Sequence, residues 1–242
     1  MARPEKAEEF GLDFPRGVLL LGVPGCGKSL AAKAVAAEWR LPLLKLDPSN
    51  LYNKYIGESE RNFKRAMEAA ERMAPVVLWI DELEKAFATG GEDGGVSQRI
   101  LGTFLSWMQD RTGDVFIVAT ANDISRLPPE FLRKGRFDEI FFVDLPDQQT
   151  RSEIFRIHLD NRGKSAEEFD LVALGAASSG FSGSEVEEVV VSGLYGAFSE
   201  GSAVTTEALL AEISQTRPLS VTMAEKVESL RAWARDRAVR AN

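Results

Sequence analysis

Cysteine and histidine are almost absent from this chain, which has 242 residues and only one of each, Cys26 and His158. A single cysteine cannot form an intrachain disulfide, so we expect a reducing, cytoplasmic compartment. No apolar run approaches the roughly 20 residues that cross a bilayer, and residues 1–10 lack the apolar centre of a signal peptide. These absences predict a cytoplasmic protein with no membrane span.

Basic residues are also scarce relative to acidic ones: 29 Lys and Arg accompany 37 Asp and Glu, which gives a net charge of −8. A protein that grips the phosphate backbone of nucleic acid needs a basic surface, so we expect no nucleic acid partner. The sequence also lacks a zinc pattern and a helix-turn-helix pattern. A local basic channel in an assembly would escape this argument, and that alternative stays open.

The first 146 residues alternate short apolar runs with longer helical stretches, a pattern typical of parallel α/β proteins. Five apolar runs predict buried strands, at residues 17–21, 43–46, 76–80, 115–120 and 140–143. Helical patterns predict three helices among them, at residues 28–39, 58–73 and 96–109. The expected fold class is α/β, with a parallel five-stranded sheet flanked by helices.

After Pro146 the strand pattern stops and only helical segments follow, at residues 149–159, 182–198, 205–215 and 223–239. The last of these alternates acids and bases, which is typical of a solvated helix face. We therefore predict two domains, an α/β core over residues 1–146 and a small all-helical domain over residues 147–242.

Residues 22–29 read G-V-P-G-C-G-K-S and match the phosphate-binding pattern G-x-x-x-x-G-K-[ST], between a predicted strand and a predicted helix. Glycines let main-chain N–H groups point at an anion, and the following helix adds its positive N-terminal end. We expect Lys28 to reach the β- and γ-phosphates of ATP or ADP, and Ser29 to bind Mg²⁺. The predicted nucleotide contacts of this segment are Gly22, Pro24, Gly25, Cys26, Gly27, Lys28, Ser29 and Leu30.

Two acids, Asp81 and Glu82, follow the apolar run at residues 76–80, at the strand end where α/β sheets place their ligands. Asp81 is the expected second ligand of Mg²⁺, and Glu82 is the expected general base that activates water. Asn122 ends the next strand and is a candidate to sense the γ-phosphate or hold this water. A helix-capping role for the two acids and a turn role for Asn122 stay open.

Together with further motifs given below, the phosphate loop and the two acids make the chain resemble AAA ATPases of the classical branch from about residue 11 to residue 191. Residues 15–29 are similar to that family's first strand and phosphate loop. Residues 132–138, L-R-K-G-R-F-D, resemble its second region of homology, and residues 180–186, G-F-S-G-S-E-V, resemble its lid signature. The phrases VLWIDELEKAF, LGTFLSWMQ and LRKGRFDEIFFVDLP are similar to the AAA subgroup encoded in cyanobacterial and plastid genomes, which would place a plastid-encoded member in the stroma.

The resemblance implies that Arg133 and Arg136 are arginine fingers, which reach the nucleotide site of a neighbouring subunit. Such a finger raises the rate about 10³- to 10⁵-fold, so a homo-oligomer, expected to be a hexameric ring, would be part of the mechanism. The Arg-Lys-Gly-Arg cluster alone also fits a basic surface turn. Pro128 replaces an acid that is common before this cluster, which leaves the details of the subunit interface open.

The resemblance also implies a first pore loop at residues 54–58, where Tyr55, with Ile56 beside it, would grip a polypeptide. Packing of Tyr55 on a neighbouring element is the alternative. The glycine-rich residues 89–95 lie where a second pore loop would be.

On the adenine side, the resemblance implies contacts from Gly11, Leu12, His158, Gly183 and Ser184. His158 alone also fits an ordinary helix residue. Cys26 stands where many relatives have threonine, serine or alanine, and we interpret it as a small space-filling residue rather than a redox switch.

The predicted activity is Mg²⁺-dependent hydrolysis of ATP to ADP and phosphate by an AAA ring that remodels or threads a protein substrate. The alternative is a nucleotide-gated binding or scaffold module with slow ATPase activity. A nucleic-acid-acting AAA protein is disfavoured by the net charge, and a small-molecule kinase by an arginine cluster followed by a helical lid. Only about ten residues precede the core, so the chain is a fragment or depends on adaptors to choose substrates.

Overall fold

The computed structural model describes residues 10–11, 13–47, 58–87 and 94–241. These residues divide into two units. The first contains the residues up to 22 together with Lys28–Phe142 and Asp236–Ala241, and the second contains Val23–Gly27 and Val143–Arg235. Within the described ranges, no helix is both long enough and apolar enough to cross a membrane.

The first unit is built on a sheet with strand order β2-β3-β4-β1-β5-β6. Its strands are β1 Gly17–Gly22, β2 Leu43–Leu46, β3 Val76–Ile80, β4 Val115–Ala121, β5 Glu139–Val143 and β6 Val239–Arg240. The pairs β1–β4, β2–β3, β3–β4 and β5–β6 are parallel. Every residue of β3 and β4 is buried, as the apolar runs predict for central strands. The predicted α/β fold with a parallel sheet is confirmed.

The predicted number of five strands is wrong, because β6 adds a sixth strand beside β5. The helix predicted at residues 223–239 begins at Ala224 and ends at Ala234. The chain then joins the sheet, where the N–H of Ala241 donates to the Phe142 carbonyl at 2.9 Å. A two-residue, exposed strand leaves no apolar pattern, so only its pairing with β5 defines it.

Gly17 allows β1 to pair closely with β4 at the start of both strands. Its φ is 144°, and a Cβ at this position would lie 2.1 Å from the Ile117 carbonyl oxygen. The Gly17 N–H donates to Asp138 Oδ2 at 2.9 Å. A larger residue would separate the strand that leads into the predicted phosphate loop from its neighbour.

The helices of the first unit are α1 Lys28–Trp39, α2 Glu58–Arg72, α3 Leu83–Ala86 and α4 Gly94–Asp110. A cluster of aromatic rings packs α2, the end of α3, α4 and the turn at residues 129–132 together, with ring centroids 5.1–5.9 Å apart. Its members are Phe63, Phe87, Phe104 and Phe131. Because Phe87 directly follows α3, this packing fixes the short helix that comes after the two predicted catalytic acids.

The second unit is helical, with α5 Gln148–Asp160, α6 Leu171–Ala177, α7 Gly183–Glu200, α8 Thr206–Gln215, α9 Leu219–Thr222 and α10 Ala224–Ala234. Its core includes Phe155, Leu159, Leu174, Val186, Val190 and Leu209, all fully buried. Helix α6 is missing from the sequence-based prediction because its residues, L-V-A-L-G-A-A, have no polar face. The carboxylate of Asp170 caps its start by accepting the Ala173 N–H at 2.9 Å.

Candidate nucleotide site

The predicted phosphate loop connects β1 to α1 and depends on glycine at two positions. Gly25 and Gly27 have φ of 76° and 86°, a left-handed region that costs a residue with a Cβ roughly 1–2 kcal/mol. Lys28 begins α1 and is 6% exposed, and its Nζ donates to the Gly22 carbonyl at 2.9 Å. A buried ammonium at the N-terminal end of a 12-residue helix is suited to an anion.

The middle of this loop, Val23–Gly27, belongs to the second unit, where it meets the start of α7. The Ser184 N–H donates to the Gly25 carbonyl at 3.0 Å. A Cβ on Gly183 would lie 3.1 Å from the same oxygen, and a Cβ on Gly25 would lie 2.9 Å from Ser182 Oγ. The predicted lid residues Gly183 and Ser184 therefore lie against the loop, and small residues are needed on both sides of the contact.

Ser29 and Asp81, the two predicted Mg²⁺ ligands, are in direct contact within the first unit. Ser29 Oγ donates to Asp81 Oδ1 at 3.1 Å, and Thr120 Oγ1 on β4 donates to the same oxygen at 2.6 Å. Lys45 Nζ lies 3.9 Å from Asp81 Oδ2. A hydroxyl and a carboxylate are hard oxygen donors of the kind that Mg²⁺ prefers when phosphates and waters complete its shell. The two side chains fit this ion.

Glu82 and Asn122 meet beyond the ends of β3 and β4. Asn122 Nδ2 donates to Glu82 Oε1 at 3.3 Å, and Lys85 Nζ donates to Glu82 Oε2 at 2.6 Å. Glu82 precedes α3, but its side chain makes no capping hydrogen bond, and its φ of 52° is a strained value for a residue with a Cβ. Its N–H donates to Thr120 Oγ1 at 3.0 Å, and this bond fixes the strained main chain at Glu82. The predicted base therefore lies beside the amide of the predicted sensor.

Two buried residues of this network, Thr120 and Glu84, are missing from the predicted site. Thr120 is 1% exposed and joins Asp81 to Glu82, and the only sequence signal for it is a hydroxyl in an otherwise apolar strand. Glu84 is 3% exposed, and its Oε1 accepts the Asn122 N–H at 2.9 Å. Burial raises the pKa of Glu84, the bond from Asn122 opposes this rise, and the nearby carboxylates of Glu82 and Asp123 add to it.

The two predicted arginine fingers differ in their surroundings. Arg133 is exposed, whereas Arg136 is half-buried and its Nη1 donates to the Leu105 carbonyl. Between them, the Gly135 carbonyl accepts a hydrogen bond from Arg16 Nη1 at 2.7 Å. Within the described residues, neither arginine side chain is hydrogen-bonded to the acids that follow β3. The structure therefore leaves Arg133 on the surface and anchors Arg136 to α4.

The predicted adenine contacts are only partly within the described residues. Gly11 is exposed with φ of 66°, and Leu12 lies outside the described residues. In the second unit His158 Nδ1 lies 3.2 Å from Arg162 Nη1 and 3.5 Å from Glu187 Oε1. Burial lowers the pKa of His158, Glu187 opposes this effect and Arg162 adds to it. The sequence-based prediction of His158 did not include these two charged partners.

Three further predicted residues have no described role in the site. Tyr55 and Ile56, the predicted pore residues, lie outside the described residues. Leu30 is an exposed residue on α1. In the loop, Cys26 Sγ donates to the Pro24 carbonyl at 3.7 Å, which holds the thiol against its own main chain.

A parallel α/β sheet with this loop after β1 and an Asp-Glu pair after β3 defines a P-loop nucleoside triphosphatase. The model of the ATPase family associated with various cellular activities (AAA) matches residues 18–145, more than half of the chain. The chain therefore belongs to the AAA family of ATPases, as its sequence motifs predict. Membership of this family supports nucleotide binding.

Relatives of the chain extend the comparison over nearly all of its length. The AAA domain-containing protein ycf46 of Guillardia theta is 47% identical over 234 residues, and ycf46 of Pyropia yezoensis is 46% identical over 230 residues. These matches cover 95% and 94% of this chain but 46% and 47% of the relatives, so the chain spans about half the length of the curated relatives it matches. The predicted resemblance to the plastid-encoded AAA subgroup is confirmed.

A second group of relatives has a more specific name. The proteasome-activating nucleotidase of Aeropyrum pernix is 39% identical over 210 residues, which cover 84% of this chain and 51% of that protein. This similarity is consistent with the matched family and with a nucleotide-dependent activity.

Proposed function

We propose that this chain is the ATPase part of a Mg²⁺-dependent AAA protein that assembles into a hexameric ring and remodels or threads a protein substrate. The observation that carries this proposal is the contact of Ser29 with Asp81 and of Asn122 with Glu82. Two side chains that can bind Mg²⁺, a general base and a polar sensor at one sheet edge are the groups that ATP hydrolysis requires. The similarity to ycf46 supports the plastid stroma or the cytoplasm as its location.

In this proposal each side chain has a separate task. Lys28 neutralises charge on the β- and γ-phosphates, and Ser29 and Asp81 hold Mg²⁺, which supplies further charge neutralisation when bound. Glu82 accepts a proton from water as the water oxygen bonds to the γ-phosphorus. The bond from that phosphorus to the bridging oxygen breaks at the same centre, and ADP leaves with this oxygen. Asn122 orients Glu82 by donating to its carboxylate.

The surroundings of the two arginines support a site completed by a second subunit. Arg133 is exposed, and Arg16 binds the nearby main chain at Gly135. The Arg133 side chain can therefore extend from a fixed main-chain segment. Arg136 is anchored at Leu105. We assign the transition-state contact in the neighbouring site to Arg133, and a supporting role to Arg136. The name of the archaeal relative, a nucleotidase that activates the proteasome, supports a protein as the substrate.

One contact favours the second candidate, a nucleotide-gated module with slow turnover. Lys85 Nζ lies 2.6 Å from Glu82 Oε2, so the predicted base is engaged by a cation. An exposed pair of this kind contributes about 0.2–1 kcal/mol, which limits its effect on the rate to about fivefold. If the pair restrains the base, Lys85→Ala raises ATP turnover; if turnover is unchanged or falls, the leading proposal is favoured.

The proposal is tested by the Glu82→Gln variant. Loss of a general base reduces turnover about 10²- to 10⁴-fold, whereas ATP affinity depends on the phosphate loop and should stay within about threefold of wild type. Glu71→Gln is the matched control, because Glu71 is a half-buried glutamate of the same unit whose carboxylate accepts the Trp107 Nε1–H at 2.9 Å. Wild-type turnover in Glu82→Gln would contradict the assignment of the base.

A further inference from the structure

Glu84 is a buried carboxylate that the proposed reaction does not use. Its side chain lies on α3, is 3% exposed, and accepts the Asn122 N–H on Oε1 at 2.9 Å. Its other oxygen, Oε2, has no hydrogen-bond partner within the described residues. A buried carboxylate with an unpaired oxygen is costly, and a leucine or methionine of similar volume would avoid that cost. The residue therefore needs a reason beyond packing.

The contacts of Asn122 and Thr120 provide this reason. Glu84 fixes the Asn122 main chain by accepting its N–H. The Asn122 side chain donates to Glu82 Oε1 at 3.3 Å. Thr120, two residues earlier on β4, holds the Glu82 main chain at 3.0 Å. The acids flanking Leu83 thus bind the same strand end, one through a side-chain amide and the other through a main-chain N–H. Of these two acids, Glu84 binds the Asn122 main chain, and Glu82 binds the Asn122 side chain.

We propose that Glu84 is a positioning residue for ATP hydrolysis, holding the Asn122 main chain where the Asn122 amide meets the Glu82 carboxylate. This inference rests on the proposed function, because the effect of Glu84 on the reaction is transmitted through Asn122. Burial raises the pKa of Glu84. A glutamine is a close substitute on geometry, since it has nearly the same shape and its amide oxygen can still accept the Asn122 N–H.

The test compares Glu84→Gln, Glu84→Asp and Glu84→Ala with Glu71→Ala as the control. Glu71→Ala also removes a carboxylate that accepts one N–H in the first unit, that of Trp107. We expect Glu84→Ala to lower kcat about tenfold with KM within about twofold, and Glu84→Gln to stay within about threefold of wild type. Glu84→Asp, one methylene shorter, should lose more kcat than Glu84→Gln. If Glu84→Ala does not fold, the comparison of aspartate with glutamine still decides.

A double-mutant cycle with Asn122→Ala separates positioning from general stability. If Glu84 acts through Asn122, adding Glu84→Ala to Asn122→Ala lowers kcat by less than about twofold further. Fully additive losses, equal losses in Glu84→Gln and Glu84→Ala, or wild-type kcat in Glu84→Ala would overturn the proposal. So would losses of kcat that simply follow the melting temperature and occur equally in Glu71→Ala.

Hydrogen exchange of the Asn122 main-chain amide gives a readout that does not depend on turnover. Without nucleotide, this amide should exchange at least about tenfold faster in Glu84→Ala than in wild type, and be unchanged in Glu71→Ala. Unchanged exchange at Asn122 in Glu84→Ala contradicts this inference alone. Absence of turnover in the wild-type chain contradicts the proposed function, and it also overturns the positioning role of Glu84 in hydrolysis even where exchange at Asn122 responds.

Discussion

At the residue scale, the three acids near the start of α3 have unequal surroundings although they lie within four consecutive positions. Asp81 accepts two hydroxyl groups, Glu82 accepts an amide and a lysine, and Glu84 is buried against the Asn122 main chain. These surroundings distinguish the proposed metal ligand, the proposed base and the proposed positioning group. All three acids contact Thr120 or Asn122 at the end of β4, because β3 and β4 end side by side.

The buried position of Glu84 predicts a pH dependence of stability. Its pKa is raised above the ordinary value of 4.5 in the folded chain, so between these two values the folded state binds more protons than the unfolded state. The free energy of unfolding should therefore fall as pH rises through this interval, by about 1.4 kcal/mol for each tenfold difference in proton affinity. Glu84→Gln cannot titrate and should not show this loss.

The measurement is urea unfolding of wild type and Glu84→Gln at a series of pH values from 4 to 8. The stability of Glu84→Gln relative to wild type should increase above pH 4.5 and then become constant. Glu71→Gln serves as the control for loss of an ordinary carboxylate. A stability difference that does not change with pH would contradict the burial argument.

The local motifs made much of the site predictable, and contacts across the sheet account for what was missed. Lys28, Ser29, Asp81 and Glu82 stand in patterns whose chemistry can be inferred from spacing alone, and the structure brings Ser29 and Asp81 into contact. Thr120 and Glu84 have no such pattern. Thr120 is part of an apolar strand, and the role of Glu84 depends on the end of β4, 38 residues away in the chain.

At the element scale, the start of α7 depends on a reciprocal cap. Ser182 Oγ accepts the Glu185 N–H at 3.4 Å, and the Glu185 carboxylate accepts the Ser182 N–H at 2.7 Å. The same carboxylate accepts the Leu219 N–H at 2.7 Å, which ties α7 to α9. Since Ser184, two residues after the cap, donates its N–H to the Gly25 carbonyl, the cap also orders a lid residue that contacts the phosphate loop.

Replacing the cap should destabilise the second unit. We expect Ser182→Ala to cost about 1–2 kcal/mol, because Ser182 is buried and its loss breaks a capping box. Thr205→Ala removes the exposed cap of α8, whose Oγ1 accepts the Ala208 N–H at 3.3 Å, and should cost about 0.5–1 kcal/mol. Denaturant unfolding, followed by the circular dichroism signal of the α-helices, measures both losses in the free energy of unfolding. A smaller loss for Ser182→Ala than for Thr205→Ala would contradict the role assigned to this cap.

Elements marked by a local sequence signal were predicted closely, and elements defined by tertiary contact were not. The predicted strands at residues 43–46 and 76–80 and the predicted helix at residues 28–39 have the observed bounds. The strand at residues 76–80 is buried on both faces, and its continuous apolar run identifies it without knowledge of its partners. Strand β6 exists only because it pairs with β5, and α6 has no polar face, so local sequence carries no signal for either.

At the scale of the whole molecule, the proposed mechanism depends on subunits that complete each other's sites. A Lys28→Ala subunit should not bind ATP but still carries both arginines, whereas an Arg133→Ala subunit should bind ATP but lacks the exposed finger. Mixing the two inactive variants should restore part of the turnover, because some Arg133→Ala subunits then receive a finger from a neighbour. Arg133→Lys keeps the charge without the guanidinium fork and serves as the matched variant. No recovery at any mixing ratio would contradict a finger that acts between subunits.

ATP turnover per subunit, measured with Mg²⁺ over a wide range of concentrations of this chain, shows whether neighbouring subunits complete each other's sites. A site completed between subunits predicts a rate per subunit that rises steeply with concentration and then reaches a plateau, about 10³-fold or more above the dilute value. A rate that is the same at every concentration, whether near zero or substantial, would contradict an ATPase that is assembled from neighbouring copies of this chain.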